Sequence, residues 1–426
     1  MGWLNLTSTM KSRVFHLILA LGFASSAYAS ETLSVVPDSA QALGIVGGRY
    51  ANLNDASAVR VSPANILQIE KSELLINAAM WHGDIRFDGN SGQSTQMNKP
   101  WVFPGSVYFV QPIIPGRLAF GIGASTPYGM SASYPHTMSS PLRYALPYST
   151  SLLTVDITPA VAFKVTDNLS VAVGMDIMYA DLKIKQFYNW SGLVPGSPEG
   201  DLQLHGQGWG VGGYMAVNWN FAKKHRFALI GRLPVKINFN GDFKASNLPP
   251  MLMAAGFTQS SSFKSDMTLP GSVALGYGYD VTDRFTVGFD FKWSENTSHD
   301  DLPIQIGSNN QPLLGGANSS VFGWQNSIDL GTGMTYAVNE NWTLRGGYLF
   351  SENSQPARNY SPVTTANDRH IFSLGVGWRG KTRNVDLTYA YVYNPTRVIS
   401  GAAQPLFDGN YKHQWQVLSL SITQRF

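Results

Sequence analysis

The chain has 426 residues, a formal net charge of +3 and no cysteine, which excludes disulfides, thiolate metal sites and cysteine nucleophiles. Charged residues make up 13% and aromatics 12%, and that charge content is well below the roughly 25% of a soluble globular domain. Without a basic run the balance speaks against nucleic acid as a partner, and the low charge content suits lipid-facing strands.

Residues 1–29 read as a secretory signal. Lys11 and Arg13 supply the positive start, residues 14–23 the apolar stretch, and Ala27-Tyr28-Ala29 a small-residue cleavage site. The apolar stretch is far short of the roughly 20 residues a spanning helix needs, so the mature chain is expected to begin at Ser30; Met10 competes with Met1 as the start. No later stretch is apolar for long enough to span as a helix, so a membrane protein of this composition must cross with strands.

Residues 30–71 precede the first strand pattern and are too long and too apolar for a solvated tail. They carry Leu43-Gly44-Ile45-Val46-Gly47-Gly48, then Asp55-Ala56-Ser57, then Ser62-Pro63-Ala64, small residues and turn formers suited to close packing inside a tube. Residues 72–426 then read as strands at 72–87, 101–113, 117–126, 151–166, 169–187, 204–221, 226–239, 267–280, 284–294, 322–338, 341–351, 369–379, 384–394 and 411–426. The expected fold is all-β, a transmembrane antiparallel barrel of about fourteen strands.

The clearest strand places Phe285, Val287, Phe289, Phe291 and Trp293 on one face, suited to lipid, with Asp290 and Lys292 opposite, where water is expected. Aromatics gather near strand ends, as at Trp219, Phe221, Trp342 and Tyr389. Connections alternate by parity: short ones such as Pro115-Gly116 and Asn339-Glu340-Asn341 separate long ones at 88–100, 127–150, 188–203, 240–266, 295–321, 352–368 and 395–410. Outer-membrane barrels have short periplasmic turns and long outer loops. The final strand turns Leu418, Leu420 and Ile422 one way and Ser419, Ser421 and Thr423 the other, and it ends on Phe426; Gln424 is an odd residue for its lipid-side position.

In the long loop 240–266, Leu248, Met251, Leu252, Met253 and Phe257 form an apolar run where water selects polar residues. Such a patch marks a contact site, and methionines adapt to varied ligands; a small helix capping the barrel mouth is the plainer reading. At Pro127-Tyr128-Gly129 the proline cannot donate to a ladder and the glycine permits a bend, so strand pairing can fail, or the strand simply ends.

The glycine-rich stretch with Gly44, Gly47 and Gly48, the Asp55-Ala56-Ser57 step and the Ser62-Pro63-Ala64 triplet resemble the N-terminal hatch of the FadL-type outer-membrane transporters of long-chain fatty acids and other hydrophobic compounds. The resemblance continues through Gly121-Ile122-Gly123-Ala124-Ser125-Thr126-Pro127-Tyr128-Gly129 and Asn339-Glu340-Asn341-Trp342, and covers essentially the whole mature chain. Ser62 departs from the family's asparagine, which shortens the side chain that would reach from hatch to wall. The resemblance implies capture of an apolar solute on outer loops, with Trp190, Leu193 and Val194 opposing the 248–257 run. Passage to a pocket in the lumen and lateral release at Pro127, Tyr128 and Gly129 would follow.

The resemblance places the family's basic headgroup positions on Gln186 and Gln325, with Lys183 and Lys185 close by, so fatty-acid specificity is less secure than transport of apolar solutes in general; long-chain fatty acids are the first expectation, and hydrocarbons or aromatics by the same route the alternative. Outer-membrane lipid and lipopolysaccharide are expected around the barrel, and the assembly machinery is expected to read the strand ending in Phe426. No cofactor, metal ligand set or catalytic residue is expected: the eight histidines stand in no nucleophile, metal or paired-carboxylate motif. A general diffusion porin shares the barrel but needs an open, charged lumen.

Overall fold

The computed structural model describes residues 38–98, 101–298, 301–314, 319–363 and 367–426; the signal segment and residues 30–37 lie outside them. Fourteen antiparallel strands close on themselves. They are β1 (Glu73–Gly89), β2 (Gly105–Ile114), β3 (Leu118–Ser125, continued by Gly129–Ser133), β4 (Ser149–Lys164), β5 (Leu169–Tyr188), β6 (Gly200–Ala222) and β7 (His225–Arg232, continued by Val235–Ala245). Then come β8 (Ser260–Leu269, continued by Gly271–Thr282), β9 (Phe285–Glu295), β10 (Ser327–Ala337), β11 (Trp342–Ser351), β12 (Arg369–Arg379), β13 (Arg383–Ile399) and β14 (Gly409–Arg425). Each pairs with its neighbours in sequence, and β1 zips to β14 from Glu73↔Arg425 to Gly89↔Gly409, which closes the ring.

The two-residue period holds around the wall. Leu418, Leu420 and Ile422 are exposed on the outer face, while Ser419, Ser421 and Thr423 are buried on the inner one. Where the strand reading fails, it fails at the outer end. The 240–266 connection contracts to 246–259 because β7 and β8 run on past Pro234 and Pro270. Their outward residues there, among them Asn238, Asn240 and Asp242, are polar and alternate with buried Ile237, Phe239 and Phe243. A strand that leaves the bilayer faces water on its outer side, and that polarity reads as loop. Conversely, β10 begins at Ser327, five residues later than its pattern suggests.

Residues 38–71 occupy the lumen as α1 (Ala40–Gly44), α2 (Ala58–Val61) and a 3₁₀ turn, Pro63–Gln68. They are fastened around the wall by single bonds from many strands. Ala40 N–H donates to Ser421 Oγ on β14 at 2.8 Å, and its carbonyl accepts from Thr388 Oγ1 on β13 at 2.6 Å. Asp290 on β9 accepts from the N–H groups of Arg49 and Tyr50 at 2.8 and 3.2 Å, and Tyr214 on β6 donates to the Val59 carbonyl at 3.0 Å. The inward Asp290 and Lys292 therefore do not face open water: the first holds luminal backbone, and the second pairs with Asp329 at 2.9 Å.

Gly47 shows how close the fit is. Its φ is +89°, and a Cβ there would sit 2.2 Å from the Tyr348 carbonyl and 2.6 Å from the Thr332 nitrogen. Luminal backbone thus lies directly on wall backbone, which only glycine permits.

Candidate functional site

The wall is interrupted at β3. β3 pairs with β4 up to Ser125↔Asp156 and resumes at Gly129↔Leu153, so three residues of β3, Thr126-Pro127-Tyr128, oppose two of β4, a bulge of one residue. Thr154 on β4 fills the break, its Oγ1 donating to the Tyr128 carbonyl at 2.5 Å and accepting from the Tyr128 N–H at 3.2 Å. On the other side β2 stops pairing with β3 at Val107↔Ala124. The chain before β2 turns instead to β1, Trp101 and Val102 pairing with His82 and Trp81. Contact is regained only where Asn98 N–H donates to the Ser133 carbonyl at 2.8 Å. Between those points the upper part of β3 has no ladder to β2 among the described residues, and exposed Trp101 and Phe103 stand at the margin.

Two chambers adjoin this break from within. The outer one is a cavity of about 470 Å³ lined mostly by apolar groups, with Met130 on the upper part of β3, Leu182, Leu204, Phe243 and Met267 on the wall, and Phe322, Trp324 and Tyr360 from the loops. The inner one is a smaller polar space of about 90 Å³ where Tyr128 meets Asp38, Arg60 and Arg232. There Arg60 pairs with Asp38 at 3.3 Å and with Asp156 at 3.6 Å. Asp38 is in turn gripped by β2: Tyr108 donates to its carboxylate at 2.7 Å and Ser106 to its carbonyl at 2.6 Å. Arg232 donates to the Arg60 carbonyl at 2.8 Å and pairs with Asp176.

The luminal motif residues meet one another. Asp55 accepts from Ser57 Oγ at 2.5 Å and Ser39 Oγ at 2.8 Å, while Ser39 caps α1 through the Ala42 N–H; burial pushes the Asp55 carboxyl up against these bonds. Ser62 is buried and its Oγ finds no partner, in line with its being too short. Asn65, three residues on, reaches the wall instead through Asn218 on β6, and its amide donates to the Tyr50 and Leu53 carbonyls, both at 3.0 Å. Pro63 and Ala64 are buried in the same turn; Arg60 and Val61, just before the triplet, line the chamber that Tyr128 borders.

The outer loops divide. Met251 and Met253 are exposed on α3 (Pro250–Ala254), as is Leu193, with Val194 half-buried. Leu252 and Phe257 turn down onto the apolar core. Trp190 and Leu248 are buried, and Trp190 Nε1–H donates to the Ser246 carbonyl at 2.9 Å, so these two fasten neighbouring loops together and offer no capture surface. Arg143 and Glu199 add a second clasp, two N–H groups each 2.6 Å from a carboxylate oxygen, and this holds Glu199 below its usual range.

Of the expected headgroup positions, Gln186 lines the outer cavity and its amide donates to the Tyr144 carbonyl at 2.5 Å. Lys183 and Lys185 do not join it. On β5 Leu182, Ile184 and Gln186 line the cavity, so by the period of two the lysines face out, and Lys183 pairs with Asp181 at 2.8 Å. Gln325 is exposed beside the cavity-lining Trp324. Sequence reasoning missed Thr154, Asp38, Arg60 and Arg358, the last a cavity-lining residue; none lies in a pattern that period or composition picks out.

The pattern of the outer membrane protein transport protein family (OMPP1/FadL/TodX) matches residues 22–426. The chain belongs to this family. A long-chain fatty acid transport protein of Escherichia coli (strain K12) is 26% identical over 392 residues, covering 81% of this chain and 84% of that protein. Among solved structures, a Pseudomonas aeruginosa FadL homologue superposes with a TM-score of 0.81 at 19% identity, covering 92% of this chain and 99% of that one. The toluene transporter TodX of P. putida gives 0.71 at 13% identity, with 92% and 99% covered. The FadL-family barrel accordingly resides in the outer membrane, with the short turns and long loops of that setting.

Proposed function

We propose that this FadL-family chain moves hydrophobic solutes, long-chain fatty acids foremost, inward across the outer membrane without changing a covalent bond. The observation that carries the reading is an apolar cavity of about 470 Å³ abutting an unpaired stretch of wall. That volume lies in the roughly 300–1,000 Å³ range of small-molecule sites, and each methylene withdrawn from water contributes about 0.8 kcal/mol. Exposed Met251, Met253 and Leu193 make first contact, the cavity takes the apolar body, and the solute leaves sideways at Thr126-Pro127-Tyr128 into the bilayer. Residues 38–71 act as the hatch that keeps this route from becoming a water pore, which argues against a diffusion porin.

The names of the E. coli and P. putida relatives support the hydrophobic class, and hydrocarbons or aromatics would use the same path. Lipopolysaccharide meets the outward polar ends of β5 to β8, and the assembly machinery reads the β14 terminus.

Deleting Pro127 tests lateral release. It removes the extra residue of the bulge and lets β3 pair continuously. The expected outcome is a barrel that still binds a fluorescent fatty acid yet no longer supports uptake of labelled oleate by cells. Undiminished uptake through a closed wall would refute the sideways exit.

A further inference from the structure

We infer that Arg358 marks a carboxylate subsite at the rim of the outer cavity, which makes the preferred solute a long-chain acid held head-out and tail-in. The inference rests on the transport reading above and assigns it a recognition residue. Of the described residues lining the cavity, Arg358 alone carries a charge. It belongs to the 3₁₀ turn Ala357–Asn359 between β11 and β12, and that turn is tied to the next outer loop by the Ala403 N–H, which donates to the Arg358 carbonyl at 2.7 Å.

Burial separates Arg358 from the other luminal cations. Arg232 is engaged by Asp176, Lys292 by Asp329, Arg345 by Asp386 and Arg60 by Asp38 and Asp156. Arg397 is spent on Asn353 Oδ1 and the Gln355 carbonyl, each 2.7 Å away. Arg358 is exposed, and among the described residues it has no carboxylate partner. An ionised headgroup carried into an apolar cavity would lose its hydration without return. At a wet rim it keeps part of that hydration and gains the forked, charge-assisted hydrogen bonds that a guanidinium offers a carboxylate. Uncharged Gln186 and Gln325 are then compatible with an acidic solute, because Arg358 supplies the positive charge from a different loop.

The test uses the purified full chain in detergent and two probes, cis-parinaric acid and its methyl ester, whose tails are identical. At pH 8 the wild type should bind the acid about tenfold more tightly than the ester, and the difference should vanish when the acid is protonated. Arg358→Gln should abolish the preference while leaving ester affinity unchanged; Arg358→Lys should restore part of it. Equal binding of acid and ester by the wild type, or a preference that survives Arg358→Gln, overturns the subsite and leaves the transport reading standing. Failure of both probes to bind the wild type would overturn the transport reading as well.

Discussion

Thr154 serves two backbone groups of Tyr128 with one hydroxyl, and without it both would lie unpaired in a half-buried break. Thr154→Val keeps the shape and removes the bonds, so it should destabilise the barrel by about 1–3 kcal/mol, read as a lower unfolding midpoint in a urea-titrated gel-mobility assay. At Gly47 the expected effect is larger. Gly47→Ala sets an L side chain at φ +89° against the Tyr348 carbonyl, a backbone cost of about 1–2 kcal/mol before the clash is counted. Protease cleavage of the luminal segment should then rise sharply; a resistant Gly47→Ala protein would show that the backbone contact is not needed. Gly47 was legible in the sequence as a small residue in a packed segment, whereas Thr154 was one inward threonine among several. Gln424 is explained by its rim position: Arg383 Nε donates to it at 2.8 Å, and it donates to the Thr382 carbonyl at 3.2 Å.

The loops are joined in pairs, and one junction is pH-sensitive. Arg143 on one outer loop grips Glu199 on the next and lies over the Phe187 ring at 3.7 Å. Because Arg143 depresses the Glu199 pKa, the clasp stabilises above the roughly 4.3 of an unfolded glutamate and is lost as pH falls through the lower folded value. Limited proteolysis should cut residues 135–145 faster in acid than at neutral pH, and Glu199→Gln should show the fast rate at both. On α3, Met251→Gln with Met253→Gln should slow fatty-acid association while leaving the dissociation rate unchanged, since these side chains face water and not the cavity; stopped-flow binding separates the two rates.

At this scale the strands were readable because lipid outside and a packed lumen inside enforce a period of two. The outer extensions of β7 and β8 were not, since water on the outer face gives them a loop's composition. Trp190 entered the reading through resemblance, which carries no information on its burial or its bond to the Ser246 carbonyl.

For the whole barrel, the luminal segment touches β1, β2, β6, β7, β9 and β12 to β14 by side-chain or backbone bonds, packing expected to obstruct an axial water column. Planar-bilayer recordings should therefore show no steady large conductance for the intact protein, and a porin-like current would contradict the packing. The barrel class was evident from loop parity and the missing helical spans. The position of the cavity was not, because its lining comes from strands and loops far apart in the chain and forms only when they meet.

The bonds of Ala40 to β13 and β14 set an order of events. The Ala40–Gly44 helix must wait for the last two strands, which are made hundreds of residues later, and β14 also has to find β1. Once that seam is sealed, a plug left outside would have to thread a finished tube. The lumen is therefore filled before or while the wall closes, and a chain stalled short of Phe426 would hold the Ala40–Gly44 helix with nothing to bind.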